Sequence, residues 1–240
     1  MSRRRRAGLF DLDGTLVDSV PDLAAAVNEV LGRFGRPGLA EAEIRQYVGD
    51  GARLLLARAF ARRADADPGM PEVDRAWSAF MSSYEAHLCI HSRLYPGVAE
   101  TLSHLHATGV GMGVGMGVVT NKPARFIAPL LDRLGIRDPF GALVGGDSLP
   151  QRKPDPAPVL AALRQLELTR GAACVMVGDS INDVLAGRAA GCVVVGVSYG
   201  YNQGVDLAQA GAAAVIDRMA DLAACLGRLE GWNAAHEGTV

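Results

Sequence analysis

Apolar positions in this chain follow a strand period at the start, a helical period through the first third, and an alternation of the two thereafter. The run Ala7-Gly8-Leu9-Phe10 breaks abruptly at Asp11-Leu12-Asp13-Gly14-Thr15, as a buried strand does when it ends in a turn. The spacing then changes. Asp18 or Ser19 can cap a helix, Pro21 suits its first turn, and Leu23, Val27, Val30, Leu31 and Phe34 share one face ahead of Gly35. Two more helical stretches follow, one carrying Leu54, Leu55 and Phe60, the next Val73, Trp77, Phe80, Met81, Tyr84 and Leu88. Between residues 20 and 92 nothing reads as a strand.

From Pro96 onward the two periods alternate. Helices are predicted over Leu102 and Leu105, over Ile127, Leu130, Leu131 and Leu134, and over residues 156–167 and 182–190. Between them lie apolar strands at 114–120, 142–144, 174–177 and 193–197. This order predicts an α/β fold: a Rossmann-like, doubly wound parallel sheet covered on both faces, with an α-helical cap inserted after the first strand. The expected division is a core of residues 1–18 and 93–240 and a cap of residues 19–92. The tandem VGMG of residues 110–117 is expected to form a lengthened glycine loop between helix and strand. Its Gly-x-Gly spacing lies before and within a strand, where a dinucleotide fingerprint should follow one.

Composition adds exclusions. A length of 240 residues fits one core with a sizeable insert, given ~150 residues per domain. With 49% apolar residues and 24 basic against 26 acidic groups, net −2, the chain is neither disordered nor drawn as a whole to nucleic acid or anionic membrane. Arg3 to Arg6 are expected to be a solvated arm, because Asp11 and Asp13 interrupt the apolar stretch that a signal peptide would need. The uncharged stretches at 104–121 and 189–205 are broken by polar and glycine residues and do not read as membrane spans. Cys89, Cys174, Cys192 and Cys225 show no CxxC spacing and are expected to be reduced core thiols. His87 and His91 lie one helical turn apart without an evident third ligand, and are expected at the surface or a hinge. The expectation is a soluble cytoplasmic protein, monomer or homodimer, with neither a nucleic-acid nor a membrane partner.

Ligands of doubly wound sheets bind beyond the carboxyl ends of the strands, and polar residues concentrate there. Asp11 and Asp13 follow the first strand, Thr120-Asn121-Lys122-Pro123 the second, and Gly178-Asp179-Ser180 with Asp183 the fourth. Lys153-Pro154-Asp155-Pro156 lies in the connection after the third. Carboxylates crowded into one crevice repel and partly protonate. A hard divalent cation with oxygen ligands, Mg²⁺, removes that conflict.

DLDGTLVDS at 11–19, VVTNKP at 118–123, KPDP at 153–156 and VGDSINDVLAG at 177–187 resemble, in order and separation, the four motifs of the haloacid-dehalogenase superfamily. The helical insert falls where that family's first type of cap belongs. The resemblance implies a phosphomonoester hydrolase that works through an aspartyl-phosphate. Asp11 would be the nucleophile and Asp13 the general acid and base, while Thr120, the Asn121 backbone and Lys153 would bind phosphate. Mg²⁺ would be held by Asp11, Asp179 and the Asp13 backbone carbonyl. Asp183 would orient Lys153 or the metal shell, or else cap the helix that follows.

VGDGARLLLARAF, TNKPARFIAPLLD and SYGYNQG are further similar to the bacterial phosphoglycolate phosphatase branch. That implies a small phosphorylated metabolite, 2-phosphoglycolate, cleaved to glycolate and phosphate within carbohydrate metabolism. A cap cation should then read the carboxylate, with Arg53 the first candidate and Arg45 the second. A sugar or amino-sugar phosphate is the alternative substrate, and a non-catalytic phosphate sensor a distant one. A dehalogenase would lack the second acid, Asp13. A phosphohexose mutase would carry His or Lys near Val20-Pro21-Asp22.

Overall fold

The computed structural model describes residues 6–112, 114–168, 173–202, 204–229 and 232. β1 (Arg6–Phe10) is flanked by β4 (Val114–Val119) and β6 (Ala173–Gly178), with β5 (Phe140–Val144), β7 (Val193–Val197) and β8 (Ala214–Ile216) further out. Among the described residues these make one six-stranded parallel sheet in the order β5-β4-β1-β6-β7-β8. The chain winds out to one side of β1 and returns to the other, so strand order reverses beside β1. That reversal opens the crevice.

Side chains alternate across the strands, and both faces are apolar. Ala7, Leu9, Met176 and Val194 join a core with α7 (Ala157–Gln165) and α8 (Ile181–Ala189). Phe10, Val175, Val177, Val195 and Val197 join another with α5 (Val98–Met112), α6 (Ile127–Arg133) and α9 (Leu222–Leu226). Period-2 strands buried on both faces are what a helix-covered parallel sheet requires. Among the described residues no helix is long and apolar enough to cross a membrane.

Between β2 (Val17–Asp18) and β3 (Arg93–Leu94) the chain forms α1 (Val20–Arg33), α2 (Glu41–Arg45), α3 (Ala52–Ala61) and α4 (Pro71–His87). Pro21 and Pro71 sit in first turns, where a missing N–H costs nothing. β2 and β3 pair antiparallel, Val17 against Leu94 and Asp18 against Arg93, so both ends of the insert leave through one narrow ribbon. Buried Asp22 fastens it, accepting from the His91 and Ser92 backbone N–H groups at 2.8 Å and from Ser92 Oγ at 2.6 Å.

Three expectations are corrected. The VGMG duplication is not a glycine loop: α5 runs through Met112 and β4 starts at Val114. Leucine-bearing turns before it carry the helix onward, and sheet pairing takes up the second copy. Arg6 is no part of a solvated arm. It opens β1, is buried, and lies with its guanidinium 5.2 Å from the Trp232 ring centroid; Arg3, Arg4 and Arg5 fall outside the described residues. Finally, Cys174 and Cys192 are not reduced thiols but a disulfide. Register pairs Val175 with Val193, which brings the preceding cysteines opposite each other with Cα atoms 4.8 Å apart, within bridging range. Cys89 and Cys225 are free.

Candidate active site

The carboxyl ends of β1, β4 and β6 bring the motif residues into one crevice. Asp11 extends β1 by one position, its N–H donating to the Val177 carbonyl at 2.9 Å, and Thr120 extends β4 by donating to Val144 at 3.0 Å. Beyond Asp11 the chain turns sharply, with Leu12 accepting from the N–H groups of Thr15, Leu16 and Val17. Gly14 makes this possible: its φ is +88°, and a Cβ there would overlap the Asp179 carboxylate. Gly178 has the same close relation to Asp183. Ser180 caps α8 in a reciprocal capping box with Asp183.

Asp11, Asp179 and Asp183 are buried, with ligand oxygens within 4.8 Å of one another. Lys153 is the cation among them, with Nζ 2.9 Å from Asp11, donating to Asp183 Oδ1 at 2.6 Å and to the Val119 carbonyl at 2.6 Å. The Asp11 contact is an ion pair without hydrogen-bond alignment, so Asp11 Oδ1 stays incompletely satisfied. Asp179 accepts from Thr15 Oγ1 at 2.9 Å and from the Tyr201 N–H at 2.6 Å, one bond to each oxygen. Each oxygen therefore keeps a lone pair.

Three carboxylates against one ammonium leave an excess of negative charge that burial makes costly. Burial pushes the Asp11 carboxyl up to about 6, with Lys153 opposing and Asp183 reinforcing the rise. Burial, then Asp11 and Asp183, push Asp179 up to about 8. Burial alone would lower the Lys153 ammonium, but Asp11 and Asp183 outweigh it and raise it. The donor set, all hard carboxylate oxygen with surplus negative charge, fits a divalent cation. Asp183 has both oxygens engaged, one by Lys153 and the other by the N–H and hydroxyl of Ser180. It both caps α8 and holds Lys153.

Asp13 faces away from that triad. Its carboxylate accepts from Ser19 Oγ at 2.6 Å and from Lys122 Nζ at 3.0 and 3.1 Å. Lys122 is buried and also donates to the Tyr84 hydroxyl at 2.5 Å. Sequence reasoning gave Lys122 no role. Its only signal there is its place beside Thr120 and Asn121, and its partner Asp13 is 109 residues distant.

The Gly49 loop of the insert forms a roof over Asp11 and Asp13 and separates two depressions. One holds Asp179, Ser180 and Tyr201. The other holds Thr120, Asn121, Lys122 and Tyr84 beneath apolar Leu23, Leu55 and Phe80. The roof is tied down by Asn121 Nδ2 donating to the Gly49 carbonyl at 3.1 Å and Asn182 Nδ2 donating to Asp50 at 2.7 Å. Neither candidate arginine lines either depression. Arg53 pairs with Asp74 and lies over the Trp77 ring. Arg45 lies 3.2 Å from Asp18 and over Tyr201, whose hydroxyl donates to Asp18 at 2.7 Å.

The chain is similar to known proteins. Phosphoglycolate phosphatase 1 of Pseudomonas aeruginosa is 45% identical over 93% of this chain and 80% of its own length. A phosphoglycolate phosphatase of Colwellia psychrerythraea is 45% identical over 85% of this chain and 88% of its own. The crystal structure of a predicted phosphoglycolate phosphatase from Haemophilus somnus superposes with a TM-score of 0.81 at 37% identity, covering 94% of this chain and 99% of that one. The family described as haloacid dehalogenase-like hydrolase matches residues 9–197, a span that contains all four strand-end motifs, and this chain belongs to that family.

Proposed function

We propose that this chain is a Mg²⁺-dependent phosphomonoesterase that hydrolyses 2-phosphoglycolate to glycolate and phosphate through an aspartyl-phosphate at Asp11. The observation that carries the reading is the position of Asp11: a buried, incompletely satisfied carboxylate with Lys153, Asp179 and Asp183 on one side and a second carboxylate, Asp13, paired with Lys122, on the other. Relatives at 45% identity that bear the name phosphoglycolate phosphatase supply the substrate.

In this reading Asp11 attacks phosphorus and the ester oxygen leaves with a proton from Asp13. Asp13 then takes a proton from the water that attacks the phosphorus of the aspartyl-phosphate, releasing inorganic phosphate and the Asp11 carboxylate. Thr120 Oγ1, the Asn121 backbone N–H and Lys153 hold the non-bridging oxygens as charge redistributes. Asp11, Asp179 and the Asp13 backbone carbonyl would hold Mg²⁺, with Asp183 behind Lys153; bound there, the ion offsets the repulsion between anionic nucleophile and anionic substrate. Residues 19–92 act as a cap hinged at the β2–β3 ribbon, and their closure over the crevice excludes bulk water.

The apolar roof favours a small alcohol over a sugar, because Leu23, Leu55 and Phe80 offer nothing to hydroxyl groups. A panel of phosphoesters ranked by kcat/KM at fixed Mg²⁺, repeated in EDTA, tests the reading. The expected result is phosphoglycolate first, with activity lost in EDTA and in Asp11→Asn. Undiminished hydrolysis by pure Asp11→Asn protein would refute it.

A further inference from the structure

We propose that Lys122, assisted by the Tyr84 hydroxyl, is the group that receives the carboxylate of the substrate, so that the enzyme selects phosphate esters carrying an anion two carbons from the ester oxygen. The proposal rests on the phosphatase reading above and assigns its specificity.

The first argument is elimination by geometry. Among the described residues lining the two depressions beside Asp11, Lys122 is the one cation. Arg53 is spent on Asp74 and Trp77, and Arg45 on Asp18 and Tyr201. The roof above Lys122 is apolar, so no cap side chain from Leu23, Leu55 or Phe80 competes for an anion.

The second argument is distance. A general acid must lie ~2.6–3.2 Å from the oxygen it protonates, which sets the leaving oxygen against the Asp13 carboxyl. In phosphoglycolate the carboxylate oxygens lie roughly 3 Å from that ester oxygen, given standard bond lengths. Lys122 Nζ is 3.0 Å from one Asp13 oxygen and 3.1 Å from the other. The ammonium is thus two hydrogen bonds from the leaving oxygen by way of Asp13, a gap that a carboxylate roughly 3 Å from that oxygen bridges with one hydrogen bond of its own.

The third argument is donor capacity. An ammonium has three N–H donors, and Lys122 directs them at the two Asp13 oxygens and the Tyr84 hydroxyl; two of the three go to one carboxylate, so an incoming carboxylate can replace one of them while the Asp13 contact is kept. Tyr84, in accepting from Lys122, keeps its own hydrogen to donate. Its ring is fixed between Phe80, stacked at 5.9 Å, and Phe126, edge-on at 4.9 Å. Lys122 also lies 4.5 Å from the centroid of that ring, so core lysine and cap tyrosine form one anion-facing pair. A carboxylate bound there would be held from both sides of the crevice.

Binding of two non-hydrolysable phosphonates to the Mg²⁺-loaded protein, measured by calorimetry, separates this role from the chemistry of Asp13. 3-Phosphonopropionate keeps the carboxylate; propylphosphonate replaces it by a methyl group. Wild type should prefer the first. Lys122→Gln should weaken 3-phosphonopropionate by about 10- to 100-fold, the span of a charge-assisted hydrogen bond, and change propylphosphonate by less than about threefold. Tyr84→Phe, which retains Lys122 and its Asp13 contact, should weaken 3-phosphonopropionate selectively by a smaller factor and carries the test if Lys122→Gln does not fold. Equal losses for both phosphonates in both variants would overturn the proposal and leave the phosphatase reading standing. Loss of the preference in Arg53→Ala but not in Lys122→Gln would also overturn it. A wild type that hydrolyses no phosphoester overturns both.

Discussion

At Lys153 a single ammonium meets Asp11 at 2.9 Å, Asp183 at 2.6 Å and the Val119 carbonyl at 2.6 Å, all out of water. A cation so placed does two things at once. It keeps two neighbouring carboxylates from being expelled or protonated, and it presents positive charge where phosphate oxygens must sit. Removing it should therefore damage both catalysis and folding, but with different pH dependence. Lys153→Met is expected to lower kcat by roughly 10²–10³-fold, as loss of one preorganised electrostatic donor does. Its stability deficit should be larger at pH 8 than at pH 5, where the orphaned carboxyls can take up protons. Lys153→Arg should not restore kcat, since a planar fork cannot reproduce three contacts made from one nitrogen. A loss of less than tenfold in steady-state kcat for Lys153→Met would contradict the role given to it.

The elements matter to this chemistry mainly through how they begin and end. α8 starts at Ser180, whose hydroxyl and N–H both bond to Asp183 Oδ2, so the same carboxylate that caps the helix presents its other oxygen to Lys153. Ser180→Ala should cost about 1 kcal/mol in urea denaturation and lower kcat about tenfold, while Ser180→Thr restores both; a stability loss with unchanged kcat would separate the cap from the site. The elements legible in the sequence were those with a period long enough to read. β1, β4 and β6 are visible as apolar runs ending at polar motifs, β7 as an apolar run, α1 as a stripe with a proline near its start and α4 as a stripe. β2 and β3 pair over two residues each, too few to show a period. β8 is an edge strand with Val215 exposed and only Ile216 buried, so its pattern is weak. Asp11, Asp13, Thr120, Lys153, Asp179 and Asp183 could be placed at the crevice from strand order alone. Lys122 stands in the same strand-end motif but without a legible role, because a lysine in a strand-end turn reads as solvated until the fold brings Asp13 and Tyr84 to it. The Cys174–Cys192 bridge was equally hidden, since it depends on the register of two neighbouring strands.

For the molecule as a whole, the acidic crevice links stability to pH and to metal. The carboxyls of Asp11 and Asp179, ordinarily near 3.8, are pushed up in the fold to about 6 and about 8, chiefly by burial. A carboxyl whose pKa is raised on folding binds its proton more tightly in the native state. Its contribution is therefore most favourable at low pH and is lost as pH rises from the unfolded value through the folded one. The metal-free protein should lose stability from this source between about pH 4 and pH 8. Added Mg²⁺ should compensate, and by more at pH 8 than at pH 5.5, because at the lower pH it must displace protons from its ligands. Thermal melts in EDTA and in Mg²⁺ across that range check both limbs. Asp179→Asn should flatten the upper part of the EDTA profile and remove most of the Mg²⁺ increment, whereas Asp155→Asn, an exposed carboxylate in the same connection as Lys153, should change neither. An Mg²⁺ increment that is the same at pH 5.5 and pH 8 would mean that the ion is not held by these buried carboxyls, and the charge argument for the site would fall with it.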